Sequence, residues 1–272
     1  AMIALQIVAT QGSKIGWGSP VTLGLAAVGV VFGWLFIRTE TRVRSPFVNF
    51  KLFRNTTYTG ATISNFLLNG TAGILIVSML LLQLGGGMTA QEAGLMTLGY
   101  AITILLFIRV GEKLLQRFGP RRPMIWGCLI VAFSILLLLP TNLMLSSYKV
   151  LVITSFAFFG LGLGFYATPS TDAALSNLPS DQAGAGAGIY KMASSLGASF
   201  GVAISAAIFT ALSAGENVQW IEDVITFVGR QDNVVVREAA LVALIFNLLL
   251  IAAAIVSIAL TVPRAKAVPQ PA

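Results

Sequence analysis

Residues 160–205 read GLGLGFYATPSTDAALSNLPSDQAGAGAGIYKMASSLGASFGVAIS. Small residues and a helix-disturbing proline, Pro169, lead to a lone acid, Asp172. A glycine-rich turn follows, and apolar sequence resumes with a lone base, Lys191. Small residues then recur at Ala193, Gly197, Gly201 and Ser205. At every fourth position in hydrocarbon they let two helices approach closely. Ionisable groups at membrane depth are costly and mark function or a specific pair. The stretch reads as two adjacent membrane helices carrying the chain's only membrane-depth charges of opposite sign.

Composition extends this reading outward. Of 272 residues, 56% are hydrophobic and 10% charged, well below the about 25% charge of soluble domains. Mean hydropathy is +0.87. Apolar runs long enough to cross a ~30 Å hydrocarbon core recur throughout. The fold class is an all-α membrane protein. The net charge of +7 is not a nucleic-acid footprint, because the basic residues cluster in a few loops, the pattern of membrane topology. Cys128 is the single cysteine and there is no histidine. An internal disulfide is excluded, a metal site is not expected, and no Ser/His/Asp or Cys/His constellation exists. No cofactor and no enzymatic activity are expected.

The organisation follows from the apolar runs. Residues 1–37 hold a partial span at about 1–11, read as the end of a helix that begins upstream, and a full span at about 21–37. Residues 38–56 form a basic linker with Arg38, Arg42, Arg44, Lys51 and Arg54. Residues 57–262 hold six spans, at about 57–83, 93–110, 124–140, 149–177, 183–212 and 239–262. Between the last two, a polar loop is expected outside the cell with a short amphipathic helix. Residues 263–272 form a basic, proline-rich tail expected to be disordered. Counting Lys and Arg places the linker, the loop 109–122 and the tail in the cytoplasm. Six spans divide into three plus three, as in inverted-repeat transporters.

The loop GEKLLQRFGPRR, residues 111–122, resembles the cytoplasmic G-x-x-x-D-R-x-G-R-R signature of the major facilitator superfamily. Gly111, Arg117, Gly119, Arg121 and Arg122 match it, and Gln116 stands in place of its aspartate. The stretches 57–70 (TYTGATISNFLLNG), 108–116 (IRVGEKLLQ), 160–172 (GLGLGFYATPSTD) and 187–205 (AGIYKMASSLGASFGVAIS) are similar to the C-terminal part of the fourteen-span drug:proton antiporters, the NorB type. The resemblance implies the C-terminal six-helix half of a facilitator fold plus the central extra helices. It further implies proton-driven export of quinolones and other drugs across the cytoplasmic membrane. The partners it implies are lipophilic drugs, protons, membrane lipids and an N-terminal half carrying much of the proton-coupling apparatus. The rival reading is a non-transporting membrane remnant or an associating membrane module.

Several residues take a functional and a plain reading side by side. Asp172 and Lys191 form either a structural pair or latch, a proton-coupling or substrate-binding site, or two side chains reaching separately for water. Asn65 and Asn69, four apart on one helical face, either line a substrate cavity or join helices, a role worth ~0.6 kcal/mol on average. Tyr166 and Asn247 are further cavity candidates, and Tyr100 and Tyr190 pose the same question. The basic loop either latches helices and biases alternating access or serves as a topology signal contacting lipid headgroups. The glycines at 160–164 and 184–188 are not a phosphate loop, since no strand precedes them and no G-K-[ST] follows.

Overall fold

The computed structural model describes residues 4, 7, 8, 16, 18–40, 50–215, 226–228 and 233–264. The expected partial span at 1–11, the linker centre, the outer amphipathic helix and the tail fall largely outside the described residues. Every regular element among the described residues is helical. Helix α1 is Pro20–Glu40, with its apolar part at Pro20–Leu35. A 3-10 turn at Phe50–Arg54 leads into the bundle. There α2 (Thr56–Gly70), α3 (Gly73–Leu80) and a π turn (Leu81–Gly85) make one span. Then come α4 (Ala90–Phe118), α5 (Arg121–Leu138), α6 (Leu145–Leu175), α7 (Ala183–Ser213) and α8 (Val234–Thr261). Six spans are therefore long and apolar enough to cross a membrane.

Local chemistry sets the ends. Asn55 caps α2 by accepting from the Tyr58 N–H at 3.1 Å. Thr89 and Glu92 form a reciprocal capping box at the start of α4. Gly119 ends α4 at φ 71°, a backbone conformation suited to glycine. Pro120 then leads directly into α5.

Glycines decide how the helices meet. A methyl built on Gly160 would lie 2.1 Å from the Tyr100 carbonyl oxygen of α4, and one on Gly111 would lie 2.3 Å from the Gly164 carbonyl. Gly162, two residues round the helix, faces the other way, and its methyl would lie 2.6 Å from the Gly127 carbonyl of α5. Thus alternate glycines of α6 seat it between α4 and α5. The second seam joins α2–α3 to α7. There a methyl on Gly197 would lie 2.1 Å from the Phe66 carbonyl oxygen, and one on Gly201 would lie 1.8 Å from that of Gly70. Backbones approach this closely only where side chains are absent.

The pairing is reciprocal. The first span packs against the fifth and sixth, and the fourth packs against the second and third. Exchanging spans one to three with four to six maps one arrangement onto the other, as an inverted repeat requires.

Candidate functional site

Asn65 (α2) is almost fully buried, and its amide donates to the Tyr190 carbonyl of α7 at 3.1 Å. Asn69, one turn on, donates to both the Oδ1 and the backbone carbonyl of Asn65, each at 2.8 Å. The Tyr166 hydroxyl (α6) lies 2.7 Å from Ser64 Oγ, and the Tyr190 hydroxyl donates to Ser170 Oγ at 2.7 Å. These bonds tie α2, α6 and α7 together at one level. Pro169 lies inside α6 at that level and removes the N–H that would bond the Phe165 carbonyl.

The three helices enclose one side of a groove of about 450 Å³. Its polar wall includes Asn65, Asn69, Tyr166, Thr171, Lys191 and Ser194, and its apolar wall includes Leu68, Ile104, Leu163 and Leu175. The spacing explains the gathering. Leu163, Ala167, Thr171 and Leu175 form an i, i+4 stripe on α6, and Ala187, Lys191 and Ser194 form a matching stripe on α7. The volume suits a drug-sized ligand.

The structure brings three of the four cavity candidates, Asn65, Asn69 and Tyr166, to the groove together with Lys191. It places Asn247 elsewhere. Asn247 is fully buried in α8 and donates to Ser205 Oγ of α7 at 2.8 Å and to the Ala243 carbonyl at 2.7 Å. Gly73 of α3 closes over the pair, since a methyl there would lie 2.1 Å from Ser205 Oγ and 2.8 Å from Asn247 Oδ1. Asn247 thus stands at a three-helix crossing. Tyr100 packs edge-on against Phe159, away from the groove wall.

Asp172 and Lys191 do not meet. Asp172 accepts from the Ser176 hydroxyl one turn on, at 2.7 Å. Lys191 is exposed in the groove, and among the described residues neither enters a salt bridge. Successive residues of a helix point 100° apart, so Thr171 faces the groove and Asp172 does not.

Nor are these two the chain's only charges within its apolar helices. The last span begins at Val234, five residues before the expected 239, and so takes in Arg237 and Glu238, both buried. Arg237 donates to the carbonyls of Thr141 (2.6 Å), Leu143 (3.0 Å) and Val228 (3.1 Å), and its guanidinium lies over the Phe227 ring. It ties the α5–α6 turn to the segment before α8.

The basic loop clamps the opposite end. Gly111 lets α4 touch α6, and Gly119 turns the chain. Arg121 donates to the Ala259 carbonyl near the end of α8 at 2.6 Å, which also suits the negative end of that helix dipole. Arg117 and Arg122 both lie over the Phe118 ring, at 5.2 and 5.8 Å. Gln116, where the signature has aspartate, is exposed.

Comparison with known proteins agrees with this architecture. The sequence pattern of the Major Facilitator Superfamily matches residues 2–202 and, in a second overlapping alignment, 58–271. Quinolone resistance protein NorB of Staphylococcus aureus strain MRSA252 is 46% identical over 217 residues, which is 80% of this chain and 47% of that protein. The strain MW2 protein of the same name is 45% identical over the same coverage. The chain spans about half the length of the curated relatives it matches.

Proposed function

We propose that this chain, which belongs to the Major Facilitator Superfamily and is a multi-pass protein of the cytoplasmic membrane, forms the C-terminal half of a proton-driven exporter of quinolone-type and other lipophilic drugs. The observation that carries the reading is the groove. Its polar groups, Asn65, Asn69, Tyr166 and Lys191, come from three different helices onto one apolar wall. A wall of this kind orients a mostly apolar ligand with few polar contacts. The drug would occupy the space between this wall and an N-terminal half, and the halves would rock about it.

In this account the glycine seams lock the two three-span repeats to each other, and Arg121 at one end and Arg237 at the other hold the bundle together as it moves. The end bearing Arg109, Lys113, Arg117, Arg121 and Arg122 faces the cytoplasm. Asn247 belongs to the scaffold. Asp172 stands outside the groove wall and contributes no contact to the drug.

The test is a chimera. This chain replaces the matching C-terminal region of the staphylococcal relative and is expressed in a drug-sensitive host. Quinolone resistance above vector, abolished by a protonophore, is expected from the chimera, and no resistance from the chain expressed alone. A chimera that inserts stably in the membrane yet confers no efflux would overturn the proposal.

A further inference from the structure

The groove holds one ionised side chain among its described lining residues, and it is a cation. Lys191 lies eight residues into α7, about 12 Å along the helix from Ala183 at 1.5 Å per residue. Its ammonium makes no salt bridge or hydrogen bond among the described residues. Ser194 lines the same groove one turn further on, and its hydroxyl is likewise not engaged. The donors of the other polar lining groups are already used: Asn65 on the Tyr190 carbonyl, Asn69 on Asn65, Tyr166 with Ser64, Tyr190 on Ser170, and Thr171 on the Ala167 carbonyl. What the wall offers a ligand is therefore a cation and an adjacent hydroxyl, set against Leu68, Ile104, Leu163 and Leu175.

We infer that this wall selects lipophilic molecules carrying a single carboxylate, which Lys191 and Ser194 bind at positions i and i+3 of α7. The inference rests on the groove being the drug-contact wall and narrows what that wall takes. A charge-assisted hydrogen bond from the ammonium is stronger than a neutral one. The Ser194 hydroxyl, one turn along the same face, reaches the second carboxylate oxygen. A purely cationic lipophile finds no counter-charge on this wall and meets Lys191 as a like charge. An anionic lipid headgroup shares the carboxylate's chemistry, so the experiment must separate the two sources.

The chain is reconstituted in phosphatidylcholine nanodiscs, and binding of nalidixic acid and of its ethyl ester is measured by equilibrium dialysis at pH 7.5. The acid is expected to bind about tenfold more tightly than the ester, the size of one charge-assisted contact. Lys191→Gln should bring the acid down to the ester's affinity, and Lys191→Arg should keep the preference. Lys149→Gln, at the opposite end of the bundle, should also keep it. Equal binding of acid and ester to the native chain, or a preference that survives Lys191→Gln, overturns this inference and leaves the exporter reading standing. Binding of neither compound to the chain or to the chimera overturns both. Added phosphatidylglycerol separates the sources: competition against the acid alone shows that the same cation also accepts lipid phosphate, and no competition assigns it to the carboxylate.

Discussion

Asn65 and Asn247 are the same residue type in two membrane-spanning helices, and both are nearly or fully buried. Asn247 sits where three helices cross, with Gly73 and Ser205 closing over it. Asn65 sits where three helices diverge, and its bond to the Tyr190 carbonyl leaves a groove beside it. The difference lies in the neighbours. Glycine and serine opposite Asn247 let backbones close up, whereas the large side chains Tyr166, Tyr190 and Lys191 line the open groove beside Asn65. A polar side chain in a membrane helix thus becomes scaffold or site according to the size of what faces it.

Closing or forcing open the tight crossing gives the largest effect. In Gly201→Leu the first added carbon lies 1.8 Å from the Gly70 carbonyl oxygen and 2.5 Å from its Cα. Even Gly201→Ala should cost ~3 kcal/mol, the upper end of overpacking penalties, and the leucine variant should fail to yield a folded bundle by size exclusion in mild detergent. A monodisperse, native-like Gly201→Leu protein would show that the seam is looser than described.

Asn247→Leu keeps the branched shape but removes the bonds to Ser205 and the Ala243 carbonyl. It should lower stability by about 0.6–1.7 kcal/mol, the span measured for interhelical hydrogen bonds in membranes, and leave ligand affinity at the groove unchanged. Reversible unfolding in mixed micelles and equilibrium dialysis read the two quantities separately. A change in affinity without a change in stability would move Asn247 from scaffold to site.

The smallest effect is expected where sequence reasoning anticipated a large one. A buried Asp172–Lys191 pair would make each single substitution cost roughly 3–5 kcal/mol. With Asp172 bonded to Ser176 and Lys191 exposed in the groove, Asp172→Asn and Lys191→Met should each stay within about 0.5 kcal/mol of the native stability. A loss of several kcal/mol in both would restore the pair.

Much of this was legible in the chain. Hydropathy runs located all six spans, because a segment that must cross hydrocarbon has to be apolar along its length. The four-residue spacing of Gly197, Gly201 and Ser205 announced the close seam. The facilitator signature at 111–122 announced the family. Rotation about the helix axis was harder to read. Asp172 and Lys191 lie near the facing ends of two successive helices, three residues before the end of α6 and eight into α7, but position along a helix does not fix azimuth, and Thr171 rather than Asp172 faces the groove. The stripe Ala187, Lys191 and Ser194, read against 163, 167, 171 and 175, carried that information. The role of Arg237 is not legible in the sequence, because carbonyls from the Thr141 turn and Val228, far apart in sequence, supply its partners.

The central claim is that the face bearing Asn69, Thr171 and Ser194 is a solvent-accessible binding wall and the crossing at Asn247 is dry scaffold. Single cysteines at positions 69, 171, 194 and 247, in a Cys128→Ala background, are treated with a membrane-impermeant thiol reagent in nanodiscs, with and without nalidixic acid. The account predicts labelling at 69, 171 and 194, slowed by the drug, and none at 247. Labelling at 247 with 69, 171 and 194 silent would contradict it.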